Sequence, residues 1–505
     1  MHSAFLSIRI KASAGGCKSR TRTARERVED DYMNNSPIDA SSSHREPIVS
    51  RDRTPLLIAA AFAIVHIGLV IFIDASNAEV FLRADRAQVR LRTLLELLAS
   101  PSFDEAVHYL ASHGIVGDYA AHALLYAVGG RFFLIGVQIA LCLIAGLCVY
   151  RLGRALELSG RMSAMAMTVY LCMPHTLVFP HQLASEALHV PLLVISTWLL
   201  AKGILERQWR VLAISALLLG IATLIRPITL LWPLVAGIVA AIALRPRLAL
   251  AYTGLAVLPI VLWMSFIGMN TGEFGLGKSD HSMERNLYER VGRITDSLPS
   301  AEQENARREH LSSPERTLGA SDYLRFSFAY PVASLRHLMH DATAFFAKSG
   351  VERITIDYLQ LTPDASRLQG SRDGWRQQLE RHGWAYTLRF LWDTLGPILL
   401  VSAFGAVAIV ALFILAAIGA AYFVRQLVIA RTPESFIGTM LLGLVAYIFL
   451  FSQVLNAMQS RQRAPAEFAV ALLAAAGLQW LRSRSRQRAP YSPARVTKSG
   501  LVGAD

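Results

Sequence analysis

Ten times along its 505 residues the chain runs through about 18 consecutive, mostly apolar positions. A run of that length carries a helix across ~30 Å of hydrocarbon, where each backbone N–H and C=O must be satisfied within the segment. The runs lie at 55–73, 131–150, 162–180, 184–201, 209–225, 228–244, 249–268, 396–424, 436–455 and 464–481. With 53% hydrophobic residues and a mean hydropathy of +0.38, the chain reads as an all-α polytopic membrane protein of about ten transmembrane helices. An even number of crossings returns both termini to one face. Short loops carrying Arg151, Arg154 and Arg161, then Lys202, Arg207 and Arg210, then Arg245 and Arg247, then Arg425 and Arg431 place that face in the cytoplasm. The expected location is a bacterial inner membrane, multi-pass.

The formal charge of +13 follows from the same anchoring and calls for no nucleic-acid partner. Of the four cysteines, Cys142, Cys148 and Cys172 lie in apolar runs, and neither they nor Cys17 has a CxxC partner. Neither a disulfide framework nor a zinc site is expected, and no metal site is assigned.

Residues 1–54 are polar and charge-mixed and read as a disordered cytoplasmic tail. The transmembrane region 55–268 includes a first periplasmic loop at 74–130, and residues 269–395 form a second, mainly helical periplasmic domain with ordinary soluble composition. The helices of 396–481 and a basic cytoplasmic tail at 482–505 complete the chain.

Three sites facing the expected outer side break the charge rule. Arg226 stands in the short turn of "LIRPITLLW", and "CMPHTLVFPHQLASEALHV" carries His175, His181 and Glu186 into an apolar hairpin. Arg461 and Arg463 open the last span in "SRQRAP". Charge at or below the membrane surface is costly unless it is paired or functional. Arg226 has the alternative of snorkelling to lipid head groups, and Glu186 that of a structural bridge to one of the arginines. If these arginines are functional, their planar, permanent cations suit phosphate, and an anionic lipid head group such as a polyprenyl phosphate is the expected ligand.

The first loop supplies acid. "PSFDEAVHYLASHGIVGDYAAHALLY" offers Asp104, Glu105 and Asp118, with His108 one helical turn after Asp104. A carboxylate that accepts the proton of an attacking hydroxyl is what a sugar transfer needs. An acidic pair at a helix start is also favoured by the helix dipole alone, so the choice among the three stays open.

Together these stretches resemble the GT-C superfamily of membrane glycosyltransferases, in the branch of the protein O-mannosyltransferases and the lipid A aminoarabinose transferase. The likeness covers roughly 100–265 and 430–481, through "DEAVHYLAS", "HALLYAVGG", "YRLGR", "PHQLASEAL", "GIATLIRP" and "RQRAP". It implies an inverting glycosyltransferase that moves a sugar from a polyprenyl-phosphate donor to a hydroxyl of a glycan, lipid or protein acceptor on the periplasmic side. The catalytic residue would be Asp104, Glu105 or Asp118, and Arg226, Arg461, Arg463, Glu186, His181 and His108 would bind substrate. No cofactor or divalent metal is implied. The expected partners are membrane lipid, the lipid-linked donor and the acceptor. The competing readings are a flippase or exporter of lipid-linked sugars and an O-antigen-type polymerase or ligase.

Overall fold

The computed structural model describes residues 52–76, 116–244, 246–272, 274–275, 279–311, 318–351, 374–454 and 460–488, with single positions between 92 and 105. Nearly all of the tail expected over 1–54, most of the loop up to 115 and the end beyond 488 lie outside the described residues. Residues Thr54–Asp505 form one compact unit. Among the described residues there is no strand.

In chain order the helices are α1 (Thr54–Ser76), α2 (Val116–Ala155), α3 (Gly160–Cys172), α4 (Pro174–Val178), α5 (Ser185–Glu206), α6 (Trp209–Ile225), α7 (Trp232–Ala243) and α8 (Pro246–Thr271). There follow α9 (Ser279–Thr295), α10 (Ser300–His310), α11 (Ala320–Ala329), α12 (Pro331–Ala347), α13 (Gly374–Ile429), α14 (Pro433–Val454) and α15 (Glu467–Arg488). Short 3-10 turns occupy Phe179–His181, Pro227–Thr229 and Ser460–Ala466.

Each apolar run falls on helix, but the crossings are not uniform. Seven stretches are long and apolar enough to span a bilayer: Thr54–Phe72, Gly117–Ala155, Ser185–Glu206, Pro246–Asn270, Leu400–Ile429, Pro433–Ser452 and Arg461–Ser485. The run expected at 162–180 passes that test only as a pair of helices bent by 62°. Pro174 starts the second member and has no N–H with which to continue the first. The runs at 209–225 and 228–244 become short apolar helices, interrupted by the extended backbone of Arg226 and by Pro227. The chain is thus a polytopic helical membrane protein with seven full-length spans among its described residues.

α2 departs most from a straight crossing. Its helical geometry fails at Gly129 and Gly130, the latter with φ +67°, a region that glycine enters without strain. In an unbroken helix, residues 16 apart would be separated by ~24 Å. Yet the Gln138 side-chain amide lies 2.9 Å from His122 Nε2. The arm 116–128 therefore doubles back along the span 131–155, and Ala123 and Leu134 pack with Leu183 between the arms and the start of α5. Gly117, at the arm's start, lies so close to Leu224 and Ile225 that a Cβ there would meet their backbone at 2.6 Å.

The core gathers around α15, whose residues Phe468–Ala476 are all buried. Its run of alanines lets α3, α13 and α14 come close, the way apolar helices pack when burial from water contributes nothing. Gly419 of α13 and Gly477 of α15 come so close that a Cβ on either would strike a backbone carbonyl of the other helix, Leu473 or Leu415.

The bundle has two distinct ends. At one, the Arg151 and Lys202 cations lie over the Trp198 ring, and the Ser159 N–H donates to Gln479 Oε1 at 2.8 Å. The other carries Arg226, Glu186 and the turn Ser460–Ala466. There α12 also ends, with Phe345 and Phe346 against Phe413 and Phe449 of the spanning helices. α9, α10 and α11 share a small core of their own around Leu287, Val291, Ala306 and Phe326.

The glycine contact yields a direct expectation. Gly477→Ala should lower the thermal unfolding midpoint of the purified chain, since overpacking costs about 1–3 kcal/mol. Gly443→Ala, where a Cβ meets nothing within 4 Å, should leave it unchanged.

Candidate functional site

Glu186 sits in the first turn of α5, where the helix dipole favours an anion, and its side chain is fully buried. Two guanidiniums converge on one of its oxygens. Arg226 reaches Oε1 through Nη1, and Arg461 reaches the same oxygen through Nε at 2.9 Å. Arg226 also donates from Nη2 to Gln462 Oε1 at 2.7 Å. The bend that presents Arg226 is held by the Thr223 and Thr229 hydroxyls, 3.0 Å apart, and by His189 bonding the Ala222 carbonyl. Arg226 is nearly buried, whereas the Arg461 side chain is 36% exposed.

Arg463 turns elsewhere. Residues two apart on a 3-10 turn of three residues per revolution point in different directions, so Arg461 and Arg463 do not converge. Arg463 is 1% exposed and donates Nε to Glu467 at 3.2 Å. Its Nη1 donates to the carbonyls of Phe345 at 2.5 Å and Lys348 at 2.9 Å, and Nη2 to that of Ser349 at 3.4 Å. These carbonyls terminate α12, so the guanidinium caps that helix end. Glu467 Oε1 also meets His175 Nδ1 at 2.8 Å. A cavity of about 20 Å³, room for about one water, separates the two carboxylate systems; Tyr170, His175, Phe179, Glu186 and Ala464 are among its walls.

Asp118 lies at the start of the folded-back arm of α2, one residue after the contact with the end of α6 and thus beside the Arg226 turn. Its carboxylate is 2.8 Å from His122 Nδ1. The Gln138 amide approaches the other ring nitrogen at 2.9 Å and the Gln182 carbonyl at 3.4 Å. A donor amide on Nε2 leaves the Nδ1 proton to His122, which donates it to the main-chain carbonyl of Asp118 at 2.8 Å, with the carboxylate Oδ1 equally close.

The remaining expected residues are placed as follows. His181 is buried, its Nε2 3.1 Å from Nδ1 of His66 in α1. Glu105 is exposed, and its N–H bonds the Ser102 hydroxyl, the pattern of a helix cap. Asp104 and His108 lie outside the described residues. The structure brings Glu186, Arg226 and Arg461 into one cluster, sets Asp118 one residue after the contact of Gly117 with the end of α6, and gives Arg463 a separate set of partners. Sequence reasoning did not single out Glu467, Gln462, His122, Gln138 or His66. Two of these were signalled by i, i+4 spacing, Glu467 from Arg463 and His122 from Asp118. Among the described residues no group of three His, Cys, Asp or Glu is placed to hold a metal ion.

Removing one partner of a buried ion pair leaves an uncompensated charge and costs about 3–5 kcal/mol. Glu186→Ala should therefore lower the unfolding midpoint strongly, and Glu186→Ala combined with Arg226→Leu should recover part of the loss. Removing the exposed partner Glu304, 2.7 Å from Arg308, should change nothing measurable in the same assay.

A family model described as "Predicted membrane protein (DUF2079)" matches residues 88–305, less than half of the chain. No curated protein matches. Among solved structures, the archaeal oligosaccharyltransferase AglB from Archaeoglobus fulgidus, in complex with an inhibitory peptide and a dolichol-phosphate, aligns with a TM-score of 0.41 at 13% identity. The alignment covers 86% of this chain and 51% of that one, so this chain spans about half the length of that enzyme. A likeness of that size is too loose to fix a shared fold.

Proposed function

We propose that this chain is an inverting membrane glycosyltransferase that moves a sugar from a polyprenyl-phosphate donor to a hydroxyl of a glycan, lipid or protein acceptor. The observation that carries this reading is the charge balance at Glu186. Among the described residues one buried carboxylate faces two guanidiniums, which leaves one unit of positive charge over, and the partly open Arg461 presents it. A phosphate monoanion or diester matches that surplus, and the guanidinium fork matches its geometry.

In this reading Arg461 takes the donor phosphate, with Arg226 behind it. The acceptor oxygen attacks the anomeric carbon, and the bond from that carbon to the phosphate oxygen breaks. The acceptor proton passes to a carboxylate, and the leaving lipid phosphate takes the bonding electron pair and gains a second negative charge beside the fixed guanidiniums. Asp118 is assigned as that base because it stands beside the Arg226 turn and is oriented by His122. Asp104 and Glu105 are the alternative candidates for the base, His108 is a candidate substrate contact, and His181 and Glu186 are assigned to the wall of the site. Arg463, with Glu467 and His175, fixes the turn on which Arg461 stands.

The orientation belongs to the same proposal. Ten crossings, counting the bent pair and the two short helices, put both termini in the cytoplasm of a bacterial inner membrane. The Arg461 end and residues 269–395 then face the periplasm, where that segment selects the acceptor. The donor is a substrate, and the reading invokes no resident cofactor.

Asp118→Asn should reduce transfer from a labelled polyprenyl-phosphate sugar by ~100- to 10,000-fold, the usual range for loss of a general base, while donor binding persists. Near-native turnover in that variant would remove Asp118 from the mechanism. Reporter fusions after Ala201 and Arg425 should be cytoplasmic and one at about residue 320 periplasmic; a cytoplasmic signal at 320 would invert the site.

A further inference from the structure

We propose that α11 and α12 lie in the bilayer interface at the Arg461 end, with a shared apolar face in contact with lipid acyl chains. Five large apolar side chains on these two helices are open: Leu324 55%, Phe328 82%, Val332 71%, Leu335 58% and Met339 61%. Leu324 and Phe328 are one turn apart on α11, and Val332, Leu335 and Met339 form an i, i+3, i+7 stripe on α12. The opposite faces are already used, by Phe326 on α11 and by Asp341, Ala344 and Phe345 on α12. The open stripe is therefore a second apolar surface, which a water-facing helix pair would not keep.

Three observations select lipid as the occupant. The C-terminal end of α12 is fixed to the spanning helices by Phe345, Phe346 and the Arg463 cap. The depth of that attachment follows from α13: counting back ~20 residues from Arg425, the length that crosses ~30 Å, reaches about residue 405. Ser349, just beyond α12, packs against Gly405, where a Cβ would meet the serine Cβ at 2.7 Å. The end of α12 thus sits at the hydrocarbon boundary, level with the exposed Phe404 of a spanning stretch.

The second observation is the margin of the stripe. Arg336 and His340 are exposed alongside Val332 and Met339 on α12, and Arg325 is exposed beside Leu324 on α11. An apolar face with cations along its edge suits acyl chains beneath anionic head groups. The third is the contrast with α10, whose open positions are charged, including Glu302, Glu304 and Arg308. Among the described residues of α9 to α12, the large exposed apolar side chains fall on α11 and α12 alone.

This inference is independent of the glycosyltransferase reading and can be tested on the full chain reconstituted in nanodiscs. A fluorescent amino acid is placed at position 328 or, in a second variant, 332, with reference variants at 404 in the spanning stretch and 304 on α10. Brominated lipid should quench at 328 and 332 at least half as strongly as at 404, and aqueous iodide should quench there at least two-fold less than at 304. Iodide quenching equal to that at 304 would show a water-facing surface and overturn the proposal. Protection from both quenchers would show cover by protein and overturn it equally.

Discussion

A carboxylate with no exposure to solvent, Glu186, joins three segments that are far apart in the chain: the start of α5, the α6–α7 turn and the turn before α15. Taking such a group out of water costs several kcal/mol, which only well-placed cations and hydrogen bonds offset. Arg226 and Arg461 supply them, and in doing so fix where three loops end. Among the described residues two cations face this one anion, more than neutralisation needs. That surplus, held rigid on a buried partner and opened at one guanidinium, is what distinguishes the cluster from an ordinary structural bridge.

The second ionic cluster has a different balance. Arg463 is answered by Glu467 and by three carbonyls at the end of α12, and its charge is spent inside the protein. Because Arg461 and Arg463 share one seven-residue turn, the attachment of α12 and the position of Arg461 are mechanically linked. The helices outside the bundle and the open guanidinium therefore rest on the same short piece of backbone.

Much of this was legible in the sequence, for reasons that can be named. Apolar length marked every helix of the bundle, because the bilayer leaves the backbone few other solutions. Glu186 and Arg226 stood out because charge is conspicuous in an apolar run. The destination of Arg463 was not legible, since "SRQRAP" gave both arginines the same expected ligand, whereas the observed 3-10 turn sends alternate arginines to different partners. Glu467 stood at the start of the last helix, beside a proline-containing turn, and His66 inside an apolar span, each paired with a residue more than 100 positions away. The folding back of α2 at Gly129–Gly130 set a stretch assigned to a loop against the end of α6, and it shows in the contact between His122 and Gln138 rather than in apolar length.

The central claim is that the surplus charge at Glu186 receives a lipid phosphate. It is tested most directly by native mass spectrometry of the purified full-length chain with a polyprenyl phosphate and with the polyprenyl alcohol of the same length. The account predicts that the phosphate is retained over the alcohol, and that Arg461→Lys, which keeps the charge but loses the planar fork, reduces that preference. Equal retention of phosphate and alcohol by the unaltered chain, or an identical preference in Arg461→Lys, would contradict it.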